Sequence, residues 1–327
     1  MKKLLIKILL SILLILVVIS GILVANHKIR NNIEKNDYTQ LLGENLRIVD
    51  VKGKKISCYV QGEGNKTIVL LSGYGTPSPI ANFMPLSNEL SKQYKVVTIE
   101  YFGYGFSDST TEERNIGNFV EEIRTTLQSL KLKPPYILMP HSFSGIYSMQ
   151  YVNMYPEEVE AIIGLDESKP NQMKNNDKIN KQNWEELKSL IGLYRIIDWL
   201  NPNYMEEMFF KGIDKNIYSP ELIKLMHADF VWNYNTKSNI NEENMMYENA
   251  KKLFNIKYPD VLPVLSIICS KNVEKESLGW VKLHEEVISN PEIQKIKILE
   301  GRHYIHYTQI NSISELASNF LENIKIT

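Results

Sequence analysis

Cysteine is nearly absent: Cys58 and Cys269 are the only two in 327 residues. Both sit in strand-like apolar runs, which makes them buried thiols and argues against a disulfide framework or a cysteine metal site. Net charge is missing too, since 37 basic against 38 acidic residues leave a formal −1. With no basic patch interleaved with aromatics, no nucleic-acid partner is expected. Internal repeats are lacking as well. No metal or cofactor is called for by any residue cluster. A hydrophobic content of 43% with 23% charged residues describes an ordinary globular chain with material for a sizeable core.

What the chain has in excess stands at its start. Met1-Lys2-Lys3 precedes an apolar stretch from Leu4 to Ala25, and its uncharged part, Ile8 to Ala25, is long enough to cross a bilayer. Residues 1–26 are therefore expected to be a membrane anchor, with a cleaved signal segment as the competing reading, although no A-x-A site precedes Asn26. Lys2, Lys3 and Lys7 on one side against Lys28 and Arg30 on the other favour a cytoplasmic N-terminus and an outward-facing globular part. Residues 27–44 are polar and read as a stalk.

Beyond the stalk, strand-like runs at Leu46–Val51, Lys55–Val60, Thr67–Leu71, Lys95–Glu100, Tyr136–Met139 and Val159–Leu165 alternate from the third onward with helical spacing. That rhythm implies βαβ units and a mostly parallel sheet. From residue 167 to about 260 no strand is found. Helical pieces replace it at Trp184–Leu200, Met205–Phe210, Pro220–Tyr234 and Glu242–Phe254. Strands resume at Val264–Cys269 and Lys295–Leu299, and a last helix covers Ile313–Ile324. The chain thus divides into a first core part (45–166), a helical cap (167–260) and a second core part (261–327).

The chemistry concentrates in Tyr136 to Tyr151, YILMPHSFSGIYSMQY. An apolar strand, a sharp turn with Ser142 at its apex and a buried helix make the layout of a nucleophile elbow. Pro140 and Ser144 stand where the usual G-x-S-x-G has glycines. Proline presets its own φ and Ser144 is small, so the turn remains feasible. A serine hydroxyl needs a base, and the base needs an orienting carboxylate. Of six histidines, His303 in Gly301-Arg302-His303-Tyr304-Ile305-His306 lies in a loop between the last strand and last helix, from which it can reach back to Ser142; His306 reads as a supporting residue. Two backbone N–H groups should hold the developing oxyanion: Phe143, at the start of the elbow helix, and Tyr74, in Ser72-Gly73-Tyr74-Gly75.

Taken together, residues from about 45 to the C-terminus resemble the α/β-hydrolase superfamily. Ser72-Gly73-Tyr74-Gly75 resembles its H-G-x-G oxyanion loop, Glu100 to Asp108 its D-x-x-G-x-G-x-S-D turn, and Gly301-Arg302-His303 its glycine-histidine site. The resemblance implies an eight-stranded, mostly parallel sheet, a helical cap and a Ser-acid-His triad. In the superfamily the acid usually follows the strand Val264–Cys269, where this chain has Ser270-Lys271-Asn272-Val273. Asn272 cannot supply the charge. Asp166, at the end of the preceding strand, is the expected acid, with Glu274 or Glu276 as alternatives. The expected activity is hydrolysis of a small-molecule ester or amide. One alternative is a proline-releasing aminopeptidase, with Glu206 and Glu207 available to grip an amine. Another, of a different class, is a non-catalytic binding module. Epoxide and dehalogenase chemistry is disfavoured, because members of that kind carry aspartate where Ser142 stands.

Overall fold

The computed structural model describes residues 2–174, 178, 180, 181, 183–201, 203–208, 210–275 and 279–324, excepting the side chains at 183, 205, 206 and 208. Its centre is an eight-stranded sheet in the order β1-β2-β4-β3-β5-β6-β7-β8. The strands are β1 (Leu46–Val51), β2 (Lys54–Gln61), β3 (Thr67–Leu71), β4 (Lys95–Glu100), β5 (Tyr136–Pro140), β6 (Val159–Leu165), β7 (Val264–Cys269) and β8 (Gln294–Leu299). β1 and β2 pair antiparallel, as do β2 and β4; every other pairing is parallel. The central strands β3 and β5 are buried at every residue. A strand covered by helices on both faces has no solvent side, so TIVLL and YILMP are apolar runs rather than alternating patterns.

α2 (Pro79–Leu90) and α12 (Ile310–Asn323) cover one face, through Phe83, Leu86, Ile313 and Leu321. α3 (Ile116–Ser129) and α4 (Ser144–Met154) cover the other, through Phe119, Ile123, Ile146 and Tyr147. In α3 the spacing Ile116, Phe119, Val120, Ile123, Leu127 places one apolar stripe on the sheet, and Asn115 caps the helix by accepting the Asn118 N–H. Between β6 and β7 the chain forms the cap: α5 (Asn183–Leu190), α6 (Leu193–Leu200), α7 (Asn203–Met208), α8 (Pro220–Asn233) and α9 (Lys237–Lys251). The single helix expected over Trp184–Leu200 is two, because Gly192 takes a φ of 71° between them. Two short helices, α10 (Ser270–Val273) and α11 (Trp280–Glu285), follow β7.

α1 runs from Lys2 to Leu42 without a break. Its first part is exposed, and it is long and apolar enough to cross a membrane. The expected stalk needs correction. Residues 27–42 continue the helix and lie on the cap, because His27, Asn31, Glu34, Tyr38 and Leu42 recur at helical spacing on one face. On that face the polar residues bond to the cap and the core while the opposite face stays exposed: Arg195 and Trp232 both bond Glu34, and Lys35 donates to the Gly105 carbonyl at 3.0 Å.

Candidate active site

The parallel strands end together, and the loops leaving β3, β5, β6 and β8 meet above them. Ser142 follows β5 after one residue, His141, with φ 52°, and Asp166 stands directly after β6 with φ 45°. Both are L-residues in the left-handed region, a conformation held only where neighbouring bonds over-determine it. Here the bonds are visible: His141 N–H donates to Leu71 O, Asp166 N–H to Ile267 O, and Ser168 N–H to Ser142 O, all within 2.9 Å. The elbow is thereby tied to β3 and to the segment after β6, and that segment in turn to β7.

His303 joins the two. Its Nδ1 lies 2.7 Å from Asp166 Oδ2 and its Nε2 2.8 Å from Ser142 Oγ. A carboxylate only accepts, so Nδ1 carries the proton and the Nε2 lone pair faces the serine hydroxyl. Asp166 is fully buried and its carboxylate is saturated with donors. Oδ1 accepts from Cys269 N–H at 2.9 Å and Trp280 Nε1 at 2.8 Å, and Oδ2 also accepts from Asn272 Nδ2 at 2.6 Å. The residue at the superfamily's usual acid position thus serves as an amide donor to the carboxylate one strand earlier. Glu274 makes no hydrogen bond to the imidazole and pairs instead with Lys271 at 2.7 Å. Glu276 and the Glu206 side chain lie outside what the structure describes.

Among the described residues, neither the Phe143 nor the Tyr74 backbone N–H donates to a protein acceptor. Both belong to turns beside Ser142: Phe143 precedes the first turn of α4, and Tyr74 follows Gly73. The Tyr74 loop is held from the cap side. Its hydroxyl donates to Glu243 at 2.6 Å, and Gly75 N–H donates to the Tyr104 hydroxyl, itself bonded to Glu242. Burial pushes the Glu242 carboxyl up to about 7, against the pull of nearby Arg114 and the Tyr104 and Tyr147 hydroxyls. Ser144, in place of an elbow glycine, is more than small: its hydroxyl donates to Ser72 O and meets the Tyr101 hydroxyl at 2.9 Å.

Several residues here had no signal in the sequence. His141 is buried, and its Nε2–H donates to the His303 carbonyl at 3.0 Å, bracing the loop that carries the imidazole. Burial and the neighbouring His303 and His306 hold it well below the usual histidine range, so it is neutral. His306 bonds Asn82 at 2.6 Å and packs on Phe83, the supporting place expected of it. Trp280 comes from a segment with no motif, and only the fold brings its indole to Asp166. Glu100, leading the Glu100–Asp108 turn, is fully buried and accepts from Ser57 Oγ, Phe106 N–H and Ile80 N–H, which makes it a loop brace. A surface cleft of about 560 Å³ opens beside His303, lined by Glu207, Lys211, Asn272, Glu274, Arg302 and Tyr304.

Comparison with known proteins agrees with this architecture. Over 308 residues the chain is 30% identical to the uncharacterized protein YbdG of Bacillus subtilis strain 168, covering 91% of this chain and 92% of that one. A shorter stretch of 116 residues, 35% of this chain and 36% of the other, is 23% identical to a cis-3-alkyl-4-alkyloxetan-2-one decarboxylase of Shewanella oneidensis. Among solved structures, Cfl2 from Burkholderia cenocepacia superposes with a TM-score of 0.67 at 16% identity, covering 84% of this chain and 95% of its own. The epoxide hydrolase VrEH1 from Vigna radiata gives 0.66 at 16% identity, covering 85% and 98%. At such identities the likeness is one of fold. The family model described as alpha/beta hydrolase fold matches residues 66–255, more than half of the chain and the part that carries Ser72 to Gly75, the elbow and Asp166, and the chain therefore belongs to the α/β-hydrolase fold family.

Proposed function

We propose that the protein is a serine hydrolase that cleaves an ester or amide of a small molecule through an acyl-enzyme. The observation that carries this reading is the unbroken hydrogen-bond chain Ser142–His303–Asp166, at 2.8 and 2.7 Å. Ser142 Oγ attacks the carbonyl carbon while His303 Nε2 takes its proton, and buried Asp166 stabilises the imidazolium that forms. The oxyanion accepts from the free Phe143 and Tyr74 N–H groups, each such donor being worth about 3 kcal/mol. His303 returns the proton to the leaving group as the tetrahedral intermediate collapses to acyl-Ser142. Water activated by the same imidazole then releases the acid. Ester cleavage is favoured because an alkoxide leaving group needs less assistance than an amine. Epoxide chemistry is disfavoured, because superfamily members of that kind carry aspartate where this chain has Ser142. The first helix anchors the enzyme in the membrane, with Lys2, Lys3 and Lys7 on the cytoplasmic side and the hydrolase outside.

The test is labelling of the full-length protein, in detergent, with a fluorophosphonate probe. Wild type is expected to label and Ser142→Ala not to. A folded wild type that stays unlabelled leaves a binding module. Glu207, at the rim of the cleft beside His303, favours an aminopeptidase as the second reading; release of N-terminal proline from a peptide anilide, lost in Glu207→Gln, would select it.

Gly73 gives a further expectation. A Cβ at residue 73 would stand 2.6 Å from Ser142 Cβ and 3.1 Å from its Oγ. Gly73→Ala therefore displaces the nucleophile, and the labelling rate is expected to fall about 10²-fold, the usual cost of a misplacement near 1 Å. An unchanged rate would show that the Ser72–Gly75 loop yields instead.

A further inference from the structure

Contacts along α1 form a ladder that ranks the cap helices by distance from the apolar segment. His27 lies against Gly192, where a Cβ would stand 2.8 Å from His27 Nδ1. Farther along, Asn31 and Glu34 hold the Arg195 guanidinium of α6 at 2.7 and 2.6 Å. Glu34 also accepts from Trp232 Nε1 of α8 at 2.7 Å, and Tyr38 packs on the Trp232 ring. The corner between α5 and α6 is thus nearer the apolar end of α1 than α8 is. At 1.5 Å per residue, His27 stands only about 3 Å beyond Ala25, where the apolar run ends. The polar layer of a bilayer extends roughly 5–7 Å beyond the hydrocarbon on each side, so this corner lies at its depth.

The faces of α5 and α6 fit that position. Glu185 and Ser189 of α5 turn inward, and Tyr194 of α6 is buried against Phe230 and Tyr234. The opposite faces carry Trp184, Leu187 and Leu190 on α5 and Trp199 and Leu200 on α6, all exposed. Among the described residues these are five of the ten large exposed hydrophobics beyond α1, gathered within one helical corner. Scattered apolar side chains need no explanation, but a gathered face does. Lys188 stretches over the Trp184 ring at 3.5 Å, a basic-aromatic pair of the kind found at headgroup level.

We propose that the outward face of α5 and α6 is a membrane-seating surface, with Trp184, Leu187, Leu190, Trp199 and Leu200 lying in the headgroup layer of the bilayer that α1 crosses. This rests on reading α1 as a membrane span. The occupant is lipid because the corner between α5 and α6 adjoins His27, about 3 Å beyond the end of the apolar run, and α8 packs on its other side. Two-point attachment, by the span and by this face, sets the orientation of the hydrolase over the membrane.

The four tryptophans make the test direct. Trp184 and Trp199 are 55% and 78% exposed, whereas Trp232 and Trp280 are 4% and 3% exposed. Full-length protein is reconstituted in phosphatidylcholine vesicles brominated high on the acyl chains, and its emission is compared with that in unbrominated vesicles. Wild type is expected to lose roughly half of its tryptophan emission, the share of the two outward indoles. The W184F/W199F variant is expected to lose little, and since both sites are exposed it should fold normally. Protein that resists alkaline extraction yet shows equal quenching in both variants, or none, overturns the seating surface while leaving the span intact. Quenching by aqueous iodide would then show the face to be solvated; shielding from iodide would show a second copy or another protein on it. Protein released by alkaline extraction overturns the span and the seating surface together.

Discussion

Asp166→Asn is expected to lower kcat about 10⁴-fold with the fold intact. All five groups directed at this side chain, the Cys269 N–H and thiol, the Trp280 indole, the Asn272 amide and His303 Nδ1–H, are donors. A carboxylate accepts from all of them, but an amide has one oxygen and must turn its NH₂ toward the rest. If the NH₂ faces His303, it donates to Nδ1, the proton moves to Nε2, and the imidazole can no longer accept from Ser142. If it faces Cys269 and Trp280, two buried donors lose their acceptor, at about 1–3 kcal/mol each. The measurement is kcat on an activated ester, beside the circular dichroism spectrum and the melting temperature. Native-like stability with kcat within tenfold of wild type would remove Asp166 from the proposed mechanism and return the role to another carboxylate.

Lys169→Met is expected to destabilise the protein by about 3–5 kcal/mol, the largest stability effect of any single change considered. Glu167, next to Asp166, is fully buried and 2.6 Å from the Lys169 ammonium, itself fully buried. Ser266 Oγ donates to the same carboxylate oxygen at 2.5 Å, Lys169 also donates to the Tyr258 hydroxyl at 2.9 Å, and His284 lies 3.8 Å from the other oxygen. Burial alone would push the Glu167 carboxyl up, but Lys169 and His284 hold it down at about 2. Methionine at 169 leaves the carboxylate with its desolvation cost and without its cation. The expected signature is a melting temperature lower by on the order of 10 °C. Replacing the pair together, as Glu167→Leu with Lys169→Met, should recover most of the loss, because apolar packing can match a buried ion pair. The pH dependence follows the depressed value. The stabilisation is complete above the ordinary carboxylate range near 4 and is lost as pH falls from there through about 2, so wild type and Lys169→Met should draw together below pH 4 and converge only near pH 2. Parallel curves from pH 7 to pH 3 would place the contribution of Lys169 in packing alone.

The two expectations meet at one place. β6 delivers Asp166 to the site and Glu167 to the core behind it, one residue apart on a strand end. The charged pair stiffens the segment from which the carboxylate projects, so a change at Lys169 should also disturb labelling at Ser142.

The architecture was legible because its signals are local. A central parallel strand must be apolar on both faces, so Thr67–Leu71, Tyr136–Met139 and Val264–Cys269 stand out as runs between turns; the observed limits of β3, β4, β6 and β7 coincide with the runs read in the sequence, and β5 extends one residue further, to Pro140. The elbow is likewise a local object: strand, apex and helix occupy sixteen consecutive residues. The partners of Asp166 lay out of reach, because Cys269, Asn272, Trp280 and His303 lie 103 to 137 residues away in sequence. No spacing rule links them to residue 166; the parallel order β6-β7-β8 does, by stacking three strand ends side by side. The polar stripe of His27, Asn31, Glu34 and Tyr38 is a different kind of failure. Taken alone, polar residues after an apolar span predict solvent, and only the tertiary partner shows that this face is partly covered, with Asn31 and Glu34 bonded to Arg195 and Tyr38 packed on Trp232. The sequence by itself determined the class of fold, the apex serine, its histidine and the apolar first helix, since each depends on near neighbours in the chain. Tertiary structure alone decided which carboxylate faces the imidazole, what holds it there, and that the first helix is fastened to the cap, because each depends on pairing surfaces far apart in sequence.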